Sequence, residues 1–292
     1  MLLSTQTEAL GARIGDIEAI KIIAEAGFDA VDFSCFSMEQ DDAPLNGAHY
    51  RQICRQLRDA ARDHGVCFNQ AHAPFAFSWS SPQGEQTAHQ RIARSMEIAA
   101  FLGAPHIVVH PLHHWRYHGR EEMVFEKNVA YYQSLVPLCQ QLGVKVCVEN
   151  MWQRDPLRNV IVDDVASRAD EFARLLDRID SPWVIGCLDL GHCGLVGENP
   201  ADAVRTLGAR RLRALHVHDN DLLCDSHQIP YWGKTDWAGV MRALAQIGYE
   251  GDFTFEADKF LHAYPTEFLP AAMKFLHDTG RMLIELAHGE PG

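Results

Sequence analysis

The sequence has no apolar run approaching the ~20 residues that a bilayer-spanning helix needs. Its start, Met1-Leu2-Leu3-Ser4, has neither the basic leader nor the apolar length of a signal peptide. Both absences point to a soluble, cytoplasmic chain with no membrane partner. None of its eight cysteines forms a C-x-x-C pair, which removes the common thiolate zinc site and redox motif. Cys67, Cys147 and Cys187 stand instead inside apolar, strand-like runs, where a thiol behaves as a small hydrophobe. Positive charge is scarce: 26 Lys and Arg face 39 Asp and Glu, for a net charge of −13. Such a surface repels phosphate backbones, which argues against a nucleic-acid partner. The first strand runs into Ser4-Thr5-Gln6-Thr7-Glu8 rather than a G-x-G-x-x-G turn, so an open dinucleotide-binding sheet lacks its signature and no organic cofactor is expected. No low-complexity segment or linker divides residues 1–292, a length that suits one barrel domain.

What the chain does have is alternation. Short apolar runs at Leu2–Ser4, Ala30–Ser34, Cys67–His72, His106–His110, Lys145–Glu149, Val184–Asp189, Leu212–His218 and Asp252–Glu256 read as strands. Most lack strict polar alternation, as expected of strands covered on both faces. Between them lie helical patterns: Asp16–Ala26, Tyr50–His64, Thr87–Leu102, Glu121–Leu142, Val165–Ile179, Pro200–Leu207, Asp236–Ile247 and Phe268–Leu286. "AEAGFDAVDFS", "AAFLGAPHIVVH" and "CQQLGVKVCVE" repeat one grammar of helix, glycine stop and buried strand. Eight such units predict an α/β protein, a (β/α)8 TIM barrel of one domain. The tail His288–Gly292 reads as frayed.

Chemistry gathers at the strand ends. His72, His110, Glu149, Asp189, His218 and Glu256 each close a strand, and His192 follows Asp189 by three residues. In a barrel these ends converge on the C-terminal mouth, where active sites are built. Carboxylates brought together there repel unless a cation neutralises them. Glu149, Asp189, His218 and Glu256 therefore read as ligands of one divalent metal, a mixed O/N set that suits Mn, Zn, Co or Mg. His106, His113, His114, His118 and His216 read as hydrogen-bonded or supporting histidines. His216 in particular is expected to point away from the partners of His218 or to stand behind them. The acidic pairs Asp41-Asp42, Glu121-Glu122 and Asp163-Asp164 read as solvated charge. The stretch "HVHDNDLLCDSHQIPYWGKTDW" adds Asp225-x-His227 at the same mouth, with Asp236 as a helix N-cap and Trp237 packed beneath. Phe75, Phe77, Trp79, Trp115, Trp152, Tyr231 and Trp232 lie on the loops after the mouth strands. Of these, Trp115, Trp152 and Trp232, with Lys234, are candidate lining of a small-molecule pocket.

Taken in order, "QAHAPF", "VVHP", "VCVEN", "GCLDLGH", "HVHDND…DSHQIP…GKTDW" and "YEGDFTFE" resemble the xylose isomerase-like (AP endonuclease 2 type) TIM-barrel superfamily over nearly the whole chain. Resemblance to its ketose 3-epimerase branch implies that Glu149, Asp189, His218 and Glu256 bind the metal, that Glu149 and Glu256 are also the catalytic acid/base pair, and that His192 contacts substrate. The implied activity is that of an isomerase or epimerase of a small sugar, sugar phosphate or polyol, acting through an enediolate, and such barrels often form homo-oligomers. Resemblance to the endonuclease IV-type apurinic-site nucleases implies more ligands: His72, His110, Glu149, Asp189, His192, His218, Asp225, His227 and Glu256 follow the order of a multinuclear zinc site. A polyol dehydratase of the inosose type is a third reading. The chain departs from both branches. No Arg follows His218 closely, where the epimerases have one, and Pro230-Tyr231-Trp232-Gly233 stands where the nucleases have Leu-Gly-Glu-Gly.

Overall fold

The computed structural model describes residues 1–75, 81–113 and 115–288. Phe77, Trp79, His114 and residues 289–292 lie outside them. Eight parallel strands form the central sheet: β1 (Leu3–Gln6), β2 (Ala30–Ser34), β3 (Cys67–His72), β4 (His106–Val108), β5 (Lys145–Glu149), β8 (Val184–Asp189), β9 (Leu212–His216) and β10 (Phe253–Phe255). The order β10-β1-β2-β3-β4-β5-β8-β9 returns on itself. Val217, just past β9, bridges Phe255, with Val217 N donating to Thr254 O at 2.9 Å and Glu256 N to Val217 O at 3.1 Å. The sheet therefore closes as a (β/α)8 barrel, as the alternation predicted.

The outer layer is α1 (Glu8–Ile14), α2 (Asp16–Ala26), α3 (Tyr50–Asp63), α4 (Pro82–Leu102), α5 (Glu121–Leu142), α6 (Ala169–Ile179), α7 (Leu190–Leu195), α8 (Pro200–Arg211), α9 (Trp237–Ile247) and α10 (Leu269–His288). Gly27 and Gly103 end α2 and α4 at φ of 104° and 89°, a left-handed turn that few other residues adopt. Asp236 caps α9 by accepting from Gly239 N at 3.0 Å, and Trp237 is fully buried beneath it. The sequence pattern missed α1, α7 and a hairpin of β6 (Trp152–Asp155) and β7 (Val160–Asp163), an antiparallel excursion on the loop after β5. Cys147 and Cys187 are buried as expected, whereas Cys67, at the first position of β3, is exposed.

The apolar core between sheet and helices is extensive, and includes Phe33, Phe125, Phe172, Phe253 and Phe255. Inside the barrel the chemistry is mixed. Val108, Cys147, Cys187 and Ala214 form a small apolar group. A polar network runs through other strands: Ser4 Oγ donates to Thr254 Oγ1 (2.8 Å), and Asn69 Nδ2 to Ser4 Oγ and Asp252 Oδ2 (both 3.0 Å). Gln70 Nε2 donates to Asp32 Oδ2 (3.0 Å). Strand side chains alternate faces, so the residues two positions further along these same rows, Glu149, Asp189, His216 and Glu256, also face inward at the C-terminal rim.

Candidate metal centre

Short local devices hold the rim residues. Asn150, directly after Glu149, staples β5 to β8: its Oδ1 accepts from Asp189 N (2.7 Å) and its Nδ2 donates to Asp189 O (2.9 Å). Asp189 in turn caps α7 by accepting from His192 N (2.7 Å), which turns the Asp-x-x-His spacing into one face of a helical turn. His192 Nδ1 donates to Asn150 O (2.8 Å), and His227 Nδ1 donates to Glu256 O (2.8 Å). In both rings this leaves Nε2 facing Asp225, from 3.7 and 3.1 Å, a ring orientation held by the backbone as in metal-binding histidines, whose Nε2 gives up its proton when a cation takes its place.

The structure brings the chemistry-bearing residues into overlapping donor groups whose ligand atoms lie within 4.8 Å of one another. At the centre are Glu149, Asp189, His216 and Glu256. To one side are His72, His110 and again Glu149. To the other are His192, His218, Asp225 and His227. A further group of Asp32, His72 and His216 lies in the barrel interior. The central imidazole is thus His216, not the expected His218. Its Nδ1 lies 2.7 Å from Glu149 Oε1 and 3.1 Å from Glu256 Oε2, while His218 Nε2 sits 3.0 Å from Asp189 and its ring stacks on His227 at 4.1 Å. The reason is register. β9 ends at His216, which pairs with Asp189. Both histidines have inward parity, and His218 stands one repeat further out. All nine residues in the ordered set, with His216 added, are buried or nearly so.

Sequence reasoning also missed the partners behind the ligands. Gln6 Nε2 donates to Glu256 Oε1 (3.1 Å) and faces His72 Nδ1 (2.9 Å). Asp32 Oδ2 lies 3.6 Å from His216 Nε2, and Gln70 Nε2 lies 2.9 Å from the same nitrogen. A buried Gln or Asp inside a strand was the available signal. Asp164, read as solvated, is buried 3.6 Å from His113. His106 Nε2 meets Gln70 Oε1 (3.2 Å), and His118 is exposed near Glu121.

Charge at the site is compensated in pairs. Burial pushes the Glu149 carboxyl up, but His216 and His110 overcome it and hold it well below the usual carboxylate range. Glu256 is likewise raised by burial and lowered, on balance, by His216. Burial opposes protonation of His227, yet Asp225 and Glu256 push it up to about 9. Glu149 Oε2, Glu256 Oε2, Asp225 Oδ1 and His218 Nδ1 are buried without a well-directed hydrogen bond among the described residues. Buried orphan donors and acceptors are costly, and anionic O and imidazole N atoms converging in this way fit a divalent cation.

The ligands open into a cavity of about 480 Å³ that is also lined by Phe36, Phe75, Met151 and Trp152. Phe75 stacks on His110 with ring centroids 3.8 Å apart. Of the other candidate pocket residues, Trp115 lines an adjoining cleft and carries Lys127 Nζ at 5.0 Å from its ring centre. Trp232 and Lys234 are exposed and line neither space. The loop carrying Asp225 and His227 is organised by Asp219. Its carboxylate accepts from Asn220 N, Tyr231 N, Lys234 N, Thr235 N and the Trp237 indole, at 2.9–3.2 Å. No helix among the described residues is long and apolar enough to cross a membrane.

A family model described as xylose isomerase-like TIM barrel matches residues 20–278. An uncharacterized protein, y4fM, of Sinorhizobium fredii is 28% identical over 181 residues, which cover 61% of this chain and 54% of that protein. A probable endonuclease 4 of Heliobacterium modesticaldum is 28% identical over 178 residues, 57% of this chain and 60% of that one. The matched part of the chain therefore spans little more than half the length of either relative. Among solved structures, a D-tagatose 3-epimerase-like protein superposes with a TM-score of 0.73 at 19% identity, covering 99% of this chain and 100% of that one.

Proposed function

The chain belongs to the xylose isomerase-like TIM-barrel family, and on that premise we propose that it is a metal-dependent isomerase or epimerase of a small sugar or polyol. The observation that carries this reading is the pair Glu149 and Glu256, facing one another across His216 at the floor of an aromatic-walled cavity. Glu149, Asp189, His216 and Glu256 would hold the cation, which when bound supplies Lewis-acid polarisation of adjacent substrate oxygens and offsets developing negative charge. The protein's own part is proton transfer. Both glutamates are held ionised, so either can take a proton from the carbon beside a carbonyl, leaving an enediolate, and the pair can return it on the same or the opposite face. Gln6 fixes one oxygen of Glu256 and leaves the other directed at His216 and the cavity. Phe36, Phe75 and Trp152 supply apolar wall to the space in which the reacting carbon would sit.

The test is deuterium exchange from solvent across a panel of ketoses and aldoses, with metal-loaded protein. Exchange lost by at least 100-fold in Glu256→Gln supports the reading. No exchange with any sugar refutes it. A second reading has its own support: three donor groups at the mouth rather than one, drawn from residues in the order of a multinuclear site, suit phosphodiester hydrolysis of an apurinic site. Incision of abasic duplex DNA would establish that reading, and three bound zinc ions without sugar turnover would favour it. A polyol dehydratase would share the first proton abstraction and differ in product mass.

A further inference from the structure

The β6–β7 hairpin leaves the barrel only three residues after Glu149 and puts a second, larger space beside the metal cavity. This cleft, about 960 Å³, adjoins the cavity, with His113, Gln153 and Arg154 lining both. Its wall is basic in a chain whose net charge is −13: Arg116, Arg154, Arg158 and Arg168 all line it. Two of these are neutralised, Arg158 by Asp155 (2.8 Å) and Arg168 by Asp163 (2.9 Å). The other two are not. Among the described residues Arg154 donates only to the neutral Asn159 O and Oδ1 (both 3.2 Å), and it lies over the Trp152 ring at 6.0 Å. Arg116 is exposed, with no ion pair among the described residues.

Elsewhere the arginines are mostly matched to carboxylates, as with Arg62, Arg91, Arg174, Arg205, Arg210 and Arg281. Nor does the nearby mouth need Arg154 for balance, because Glu149, Asp225 and Glu256 each face histidines. The hairpin register pairs Arg154 with Ile161 and Trp152 with Asp163. Residues 152 and 154 therefore share a face, and the ring and the guanidinium present one surface where cavity meets cleft. A planar guanidinium without a carboxylate partner, at the edge of a small-molecule cavity, is suited to bidentate capture of an oxyanion.

We propose that the sugar turned over at this site carries an anionic group, a phosphate or a carboxylate, seated in this cleft on Arg154 and Arg116 while its carbonyl end reaches the glutamates. The inference rests on the isomerase reading for its sugar and on the cleft alone for its anion. Two measurements separate them. Calorimetry with inorganic phosphate should show binding to the metal-loaded protein that falls at least tenfold in Arg116→Gln/Arg154→Gln. Arg205→Gln, on the surface of α8, should bind as wild type. A turnover panel of hexoses, hexose phosphates and hexuronates should favour one anionic class by at least 100-fold in kcat/KM, and the favoured class identifies phosphate or carboxylate. Arg154→Gln should raise KM for that class tenfold or more with kcat within threefold, and be partly rescued by Arg154→Lys. Equal turnover of unmodified and anionic sugars, or an unchanged KM in Arg154→Gln, overturns the anion site and leaves the isomerase standing. Arginine-dependent phosphate binding with no sugar turned over does the reverse.

Discussion

Replacing Asp219 by alanine takes one carboxylate out of the mouth and removes the shared acceptor of five donors: the backbone N–H groups of Asn220, Tyr231, Lys234 and Thr235, and the Trp237 indole, of which Lys234 N alone keeps a second acceptor, Asn220 O at 3.0 Å. The donors differ in what they can do next. Tyr231, Lys234 and Thr235 lie in a partly exposed stretch and can turn to water. Asn220 N and the Trp237 indole are buried and cannot. A buried donor left unpaired costs about 1–3 kcal/mol, so these two together account for roughly 2–6 kcal/mol. Asp219→Asn keeps the shape and one acceptor oxygen but turns an NH2 toward the same donors, for a loss of about 1–3 kcal/mol. Because the segment these bonds fix carries Asp225 and His227, metal bound by the outer donor group should weaken as well. Urea unfolding measures the first effect and zinc stoichiometry by equilibrium dialysis the second. If Asp219→Ala unfolds within 1 kcal/mol of wild type and retains the same zinc content, Asp219 does not organise the mouth in the way its hydrogen bonds imply.

Three further outcomes are expected. His216→Ala should abolish tight binding at the central donor group and His218→Ala should spare it, because His216 rather than His218 touches both glutamates; metal titration of the two variants, read by calorimetry, would contradict this if His218→Ala proved the more damaging. In Gly191→Ala the new Cβ would stand 2.1–2.7 Å from the His218 ring, so the ring must leave Asp189. That variant should lose outer-group metal while keeping a folded far-UV spectrum. Asp16 has its pKa raised from 3.8 to about 6 by burial and by the charge of Glu8. Its native carboxyl holds a proton that the unfolded chain has already lost, so the stability present below about pH 4 is lost as pH rises through about 6. Asp16→Asn should therefore be more stable than wild type by about 1–3 kcal/mol at pH 7.5 and indistinguishable at pH 3.5; an advantage that persisted at low pH would argue against ionisation as its cause.

Most of the barrel is legible in the chain itself. Each of its eight strands appeared as an apolar run, and the glycines at 27, 103 and 143 marked where helices stop. The hairpin at 152–163 was not legible. Its strands are short and half exposed, and the segment "WQRDPLRNVIVD" buries too little to impose a period. α1 and α7, of seven and six residues, are similarly too short for periodicity to register.

The site divides along the same line. Which residue types stand at the strand ends, and that they face a common mouth, is a matter of chain order and of the two-residue alternation of a strand, so Glu149, Asp189 and Glu256 could be singled out from sequence. Alternation also gives His216 and His218 the same inward parity. It cannot say which of them is level with Asp189, because height in a barrel depends on how neighbouring strands are staggered, and stagger is a property of the pairing rather than of either strand. The Asp189–His216 register decided that, and with it the imidazole between the two glutamates. The same holds for Gln6, Asp32 and Gln70, ordinary polar residues in strands until closure of the sheet brings β1, β2 and β3 against β9 and the residue after β10. The chemistry of the mouth was written in the chain; its grouping into distinct donor sets came from the closing of the barrel.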